Sequence, residues 1–339
     1  MEIKYPILGI DVSKAKLDLC LLTGSGERAL LVVSNTASGF RHLWQWLSKQ
    51  TTAPVTACLE ATNVYSAGVA VFLYQHTVTV YLANPSAVHS YMGAELRRAK
   101  TDKADAISIA EFALAMAHKL RPWQPLPAAY EELRDLVRHL ETLTRSRAKI
   151  KNQNEKAQYS TSAASHYIRC SFAAQITFYD KQISAVKKEI RACLKKSAPM
   201  TQRFELLTTA PGVGEITALT IMAEIPDIGQ FTTAKQLAAF AGLTPRIRHS
   251  GTRKPSSQPI SKMGSGRLRH ALYMSALTAK RYNRGIEQFA QRLREQGKPP
   301  KLVNIAVGRK LMHQLFAIDK KQTPYDPKYL LPLLTAETI

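Results

Sequence analysis

Three short apolar runs open the chain, residues 6–12 (PILGIDV), 17–22 (LDLCLL) and 29–33 (ALLVV), with Gly24-Ser25-Gly26 turning the second into the third. Runs of that length around a glycine turn predict an antiparallel meander. Thr36 and Ser38 are candidate caps for a helix through Leu47, on which Phe40, Leu43, Trp44 and Leu47 recur at helical spacing. A strand over 55–59 ends in Glu60, a helix fits 64–75, a strand fits 78–83, and Asn84-Pro85 reads as a breaker. Thr101 caps a helix running to about residue 118.

A three-strand meander followed by helix–strand alternation is the order of an α/β RNase H-like domain, assigned to residues 1–122. Pro122, Pro125 and Pro127 then mark a linker, and the period changes. Leu133, Leu136, Leu140 and Leu143, and later Ile176, Tyr179, Ile183, Val186, Ile190 and Cys193, follow 3-4 spacing and suit coiled-coil seams. The polar stretch 152–165 between them predicts the break of an antiparallel helical hairpin over 123–198, with an assembly or spanning role or a plain bundle layer. A mainly α domain over 199–339 follows, where Pro211-Gly212-Val213-Gly214 between two apolar helical stretches reads as a helix-hairpin-helix turn; backbone amides there suit a phosphate, or the turn merely joins helices.

Charge narrows the partner. Lys and Arg number 47 against 25 Asp and Glu, a formal charge of +22 on 339 residues. Such an excess favours a polyanion, because each neutralised phosphate releases condensed counterions. Residues 228–286 hold eleven Lys or Arg and no acid, whereas a merely solvated surface mixes both signs. No apolar run long enough for a membrane span and no signal-like start are present, so nucleic acid is preferred over membrane and a cytoplasmic setting is expected. The cysteines, Cys20, Cys58, Cys170 and Cys193, are scattered and read as ordinary reduced thiols.

The acids carry the candidate chemistry. Asp11 (GIDVSK) and Glu60 (CLEAT) each end a buried-looking strand, and Asp102 and Asp105 (TDKADA) lie three apart at a helix start, on one face. Singly, each has a mundane reading: a turn cap for Asp11, a salt bridge for Glu60, dipole complementation for the helical pair. Together, in the order strand Asp, strand Glu, helix Asp-x-x-Asp, they form an oxygen donor set for hard divalent cations. A sugar-kinase or actin-like ATPase also opens with G-I-D, but the later glycine-rich phosphate loop it needs does not occur.

With these residues in hand, the chain resembles the Piv/MooV-like transposases of insertion-sequence family one-ten, the bridge-RNA-guided recombinases. GIDVSK (9–14), CLEATNVY (58–65), ANPSAVH (83–89) and KTDKADA (100–106) carry the resemblance first, then APGVGEITA (210–218), QLAAFAGLTPR (236–246), HSG (249–251) and ISKMGSGRLRHALY (260–273). The resemblance implies a RuvC-like first domain whose Asp-Glu-Asp-Asp tetrad matches Asp11, Glu60, Asp102 and Asp105, with Mg²⁺ or Mn²⁺ as cofactor. It implies a serine, matching Ser250, that becomes covalently linked to DNA. It further implies a structured guide RNA pairing with target and donor DNA, and homodimers joining into homotetramers.

Read from its own surroundings, Ser250 lies among Arg246, Arg248, Arg253 and Lys254, cations suited to holding a scissile phosphate, and Lys262, Arg267 and Arg269 extend that basic stretch. A hydroxyl needs activation. His249 is a weak candidate base, since sequence neighbours point apart, and the carboxylate site is the alternative. Ser256, Ser257 and Ser261 are alternative nucleophiles. Serine-dependent, RNA-guided DNA recombination is the expected function. A metal-only junction resolvase or nuclease and a non-catalytic nucleic-acid-binding protein are the competing readings.

Overall fold

The structure, a computed structural model, describes residues 6–23, 26–61, 64–94, 101–246 and 259–327. It divides into two compact units, Met1–Pro125 and Leu126–Ile339.

The first unit is built on β1 (Ile7–Val12), β2 (Lys16–Leu22), β3 (Arg28–Ser34), β4 (Thr56–Glu60) and β5 (Thr79–Ala83), in the order β3-β2-β1-β4-β5. The first three strands pair antiparallel, while β1–β4 and β4–β5 are parallel. This is the RNase H-like arrangement the apolar runs predict. β1 and β2 read as continuous apolar runs because both of their faces are covered. Leu8, Ile10, Leu17, Leu19 and Leu21 meet Leu43 and Leu47 of α1 (Ala37–Gln50) and Val69 and Leu73 of α2 (Ala67–Gln75). Ile7, Cys20, Leu22 and Cys58 face Ala106, Ile109 and Ala110 of α4 (Asp102–Met116) and Val88 of α3 (Pro85–Ala94).

Local chemistry sets the helix starts. The Thr36 hydroxyl accepts from Gly39 N to begin α1, and the Thr101 hydroxyl accepts from Ala104 N to begin α4. The expected break at Asn84-Pro85 is instead the first turn of α3. Proline at the first helical position surrenders only an N–H that has no intrahelical acceptor, and Asn84 accepts from Ser86 N through its side chain. Gly9 is where α4 comes closest to the sheet, since a Cβ there would lie 2.3 Å from Ala106 O and 2.5 Å from Ala110 N.

The second unit is helical, comprising α5 (Ala128–Ala157), α6 (Ser165–Lys195), α7 (Ala198–Thr208), α8 (Glu215–Glu224), α9 (Ala234–Phe240), α10 (Gly266–Tyr282), α11 (Arg284–Glu295) and α12 (Pro300–Lys321). The hairpin of α5 and α6 buries Leu133, Leu140 and Leu143 against Ile183, Val186, Ile190 and Cys193, while Ile176 and Tyr179 are only half-buried. α5 runs further into the polar stretch than its expected break, because residues 152–157 (NQNEKA) contain no Gly or Pro to stop it. The hairpin's apolar seam belongs to the same core cluster as the helices that follow it. Arg203 of α7 joins that core through a buried ion pair with Asp319 of α12 at 2.7 Å, and also donates to Ile225 O and Pro226 O.

Candidate active site

The acids gather on the α4 side of the sheet. Side chains alternate along a strand, so Asp11 follows Ile7 and Gly9 on that face, and Glu60 follows Cys58 onto it. β1 and β4 are adjacent and parallel, with Ile10 opposite Leu59, so both strands deliver their terminal acids to one edge. α4 begins at the same edge, with Asp102 and Asp105 in its first turn.

Burial pushes the Asp11 carboxyl above its ordinary range, and the charges of Asp105, Asp102 and Asp18 push it the same way. Three acids on two other elements therefore act on Asp11. Asp18 is one that the sequence reading missed. It sits in β2 directly opposite Asp11, buried, with Lys16 Nζ 3.0 Å from its Oδ2. A signal was available, because a hairpin turning at Lys14-Ala15 pairs those two positions, but Asp18 was submerged in the run LDLCLL. Lys16 Nζ also donates to Asp102 Oδ2 at 2.7 Å, which holds the Asp102 carboxyl below its ordinary range.

The donor set suits a hard divalent cation. All the donors are oxygens, and Asp105 Oδ1 is buried with no hydrogen-bond partner among the described residues, an open acceptor that a cation satisfies. A cation would also relieve the repulsion acting on Asp11. Among the described residues, no three acid, histidine or cysteine side chains already stand in chelating positions. The acids share an edge, with Lys16 engaged on two of them, Asp18 and Asp102. The thiols are ordinary by contrast: burial pushes Cys20 up to about 11 and Cys58 up to about 12.

In the second unit, Ser250 with Arg248, His249, Arg253 and Lys254, and the alternatives Ser256 and Ser257, lie outside the described residues. The chain on either side of that segment is pinned by a bridge between Pro245 and Ile260, with Arg246 N donating to Pro259 O and Ser261 N to Thr244 O. The neighbouring basic residues are partly committed. Arg267 pairs with Glu141 at 2.7 Å, and Arg269 donates to Ala241 O and Lys262 O. Lys262 itself takes a positive φ of 55°. A further crowding of cations appears where α10 meets α11: burial lowers Lys280, with Arg294 and Arg281 adding to the effect. In the helix-hairpin-helix turn, Gly212 takes φ +96° and leaves no room for a Cβ against Ala279, so its first requirement is packing.

Among the described residues, no helix is long and apolar enough to cross a membrane. Residues 8–157 match the DEDD_Tnp_IS110 transposase family, and residues 204–291 match the family described as Transposase IS116/IS110/IS902. The pilin gene-inverting protein of Moraxella lacunata is 29% identical over 325 residues, covering 95% of this chain and 98% of that protein. The transposase for insertion sequence element IS1111A of Coxiella burnetii is 37% identical over 97 residues, covering 29% of this chain and 25% of its own length. A solved structure of Thermus thermophilus RuvC covers 35% of this chain and 99% of itself at 17% identity, with a TM-score of 0.27; the strand order, and not that superposition, carries the fold. The chain thus carries both transposase domains of the IS110 family of insertion sequences.

Proposed function

We propose that the protein cuts, exchanges and rejoins DNA strands through a covalent bond to Ser250, with the acidic edge of the first unit as its divalent-metal site. The observation that carries the reading is the convergence of charge on Asp11 from Asp102, Asp105 and Asp18, on a unit that supplies acids, in a chain whose residues 228–286, in the other unit, supply none. The Ser250 Oγ attacks a phosphodiester phosphorus and loses its proton. The P–O bond to one deoxyribose breaks, and that oxygen takes up a proton. Reversal with a different strand end rejoins the DNA and frees the serine. Asp11, Glu60, Asp102 and Asp105 would hold Mg²⁺ or Mn²⁺, which when bound activates an attacking oxygen and stabilises a leaving one. Arg246, Arg248, Arg253 and Lys254 offset charge on the phosphate as it develops, and Lys262, Arg267 and Arg269 continue the same basic stretch of sequence.

The family likeness supports target and donor DNA as substrates. The name of the Moraxella relative, a gene-inverting protein, supports rearrangement rather than simple cutting. The family resemblance further supports a structured guide RNA that pairs with both DNAs, homodimers joining into homotetramers, and action in the cytoplasm. The three-part division 1–122, 123–198 and 199–339 treats the hairpin as the assembly element between two catalytic parts.

The test is denaturing electrophoresis of the full chain after incubation with Mg²⁺, guide RNA and labelled element DNA. A protein–DNA adduct that forms with the unaltered chain and disappears in Ser250→Ala supports the reading. Cleavage without any adduct indicates a metal-only nuclease, and binding without cleavage a non-catalytic nucleic-acid-binding protein.

A further inference from the structure

Lys16 stands inside the acidic edge. Its Nζ lies 2.7 Å from Asp102 Oδ2 and 3.0 Å from Asp18 Oδ2. The two anchors differ: the Asp18 side chain is 4% exposed and that of Asp102 is 57% exposed. Lys16 and Asp18 are two apart on β2 and so share its α4 face, whereas Asp102 opens α4. The ammonium thus bridges sheet and helix where Asp11 also ends.

We propose that Lys16 is a resident counter-cation of the metal site, holding Asp102 in the metal-free protein and yielding that carboxylate when a divalent cation loads. The inference rests on the reading of this edge as a metal site. An Asp102 oxygen in contact with Lys16 cannot coordinate a metal with the same lone pair, and an ammonium and a divalent cation at ion-pair distance repel each other. Lysine suits the role as a compact charge on a flexible stem. Asp18, buried and paired with Lys16, keeps hold of the ammonium, so the side chain pivots on Asp18 and does not leave the site. Lys16 is therefore a positioning residue that tunes metal affinity by competition.

A purely structural brace predicts the opposite sign, because removing it would slacken Asp102 and weaken metal binding. Isothermal titration of the full chain with MgCl₂ separates the two. Lys16→Met should bind Mg²⁺ about two- to fivefold more tightly, the modest size expected of an exposed ion pair, and Lys16→Arg, which keeps a cation there, should stay near the unaltered affinity. Unchanged or weaker binding by Lys16→Met overturns the proposal. The unaltered chain gives a second readout that depends on no variant: acetic anhydride labelling of Lys16, followed by mass spectrometry, should accelerate on adding Mg²⁺ while that of the exposed Lys188 of the helical unit does not. Equal or slower labelling of Lys16 also overturns it. If the unaltered chain binds no Mg²⁺, the metal-site reading falls and takes this one with it. If it binds and Lys16→Met does not tighten, only the role of Lys16 falls.

Discussion

Gly9→Ala is the sharpest probe of how the fold builds the acidic edge. The added Cβ would lie 2.3 Å from Ala106 O, 2.5 Å from Ala110 N and 2.7 Å from Ala110 Cβ. Carbon contacts settle near 3.5–4.0 Å, so α4 has to withdraw from β1 by about 1 Å. Backbone blocks the way on the helix side, and no flexible side chain can yield instead. Overpacking of this kind costs about 1–3 kcal/mol, roughly 4–12 °C in the melting temperature of a unit this size. The functional effect is larger than the stability effect, because α4 carries Asp102 and Asp105 while β1 carries Asp11. A misplacement of about 1 Å between reacting groups reduces rate on the order of 100-fold. The assay is the rate of element-DNA cleavage at 25 °C, well below the melting transition followed by circular dichroism. Gly26→Ala is the control, since nothing lies within 4 Å of a Cβ there and its φ of +84° puts the cost into the turn alone. A Gly9→Ala protein that melts and cleaves like the unaltered chain refutes the claim that close α4 approach positions the acids.

Asp11→Asn should raise the melting temperature of the metal-free protein at neutral pH. The folded-state pKa of Asp11 lies above its ordinary 3.8, so the native charge is a penalty in force above the folded value and gone below 3.8. The gain should shrink as pH falls through that window, and a gain that persists at pH 3 contradicts the cause assigned to the shift. Ile183→Asp should destabilise the helical unit by several kcal/mol in urea melts, because it puts an unpaired charge into the hairpin seam; a loss under 1 kcal/mol would mean that seam is not core. Mixing Ser250→Ala with Asp11→Ala subunits should restore part of the strand-exchange activity if the serine of one chain serves the acids of another. No recovery in verified mixed oligomers limits the reaction to one chain.

Strands and their ends were legible because two-sided burial leaves unbroken apolar runs: 6–12, 17–22 and 55–59 became Ile7–Val12, Lys16–Leu22 and Thr56–Glu60. Asp11, Glu60, Asp102 and Asp105 were legible for the related reason that an acid at the end of such a run, or in the first turn of a capped helix, stands out. Asp18 did not stand out, since its contribution depends on cross-strand register and not on its neighbours in sequence. α3 was hidden by the double meaning of Asn-Pro, which ends one element and can start another. Arg267 and Arg269 look alike in sequence to the other cations of the basic stretch, but partners elsewhere in the chain, Glu141 and two backbone carbonyls, take up part of their donor capacity.

In the proposed reaction the acids of one unit and the serine of the other act together. The direct measurement is the yield of covalent protein–DNA adduct from Asp105→Asn in Mg²⁺, with RNA and DNA binding monitored alongside. Asp105 Oδ1 has no hydrogen-bond partner among the described residues, so its loss should leave binding intact while the adduct falls to the level of Ser250→Ala. Adduct formation at the unaltered level in Asp105→Asn would show that the serine works without the acidic edge, and would contradict the account.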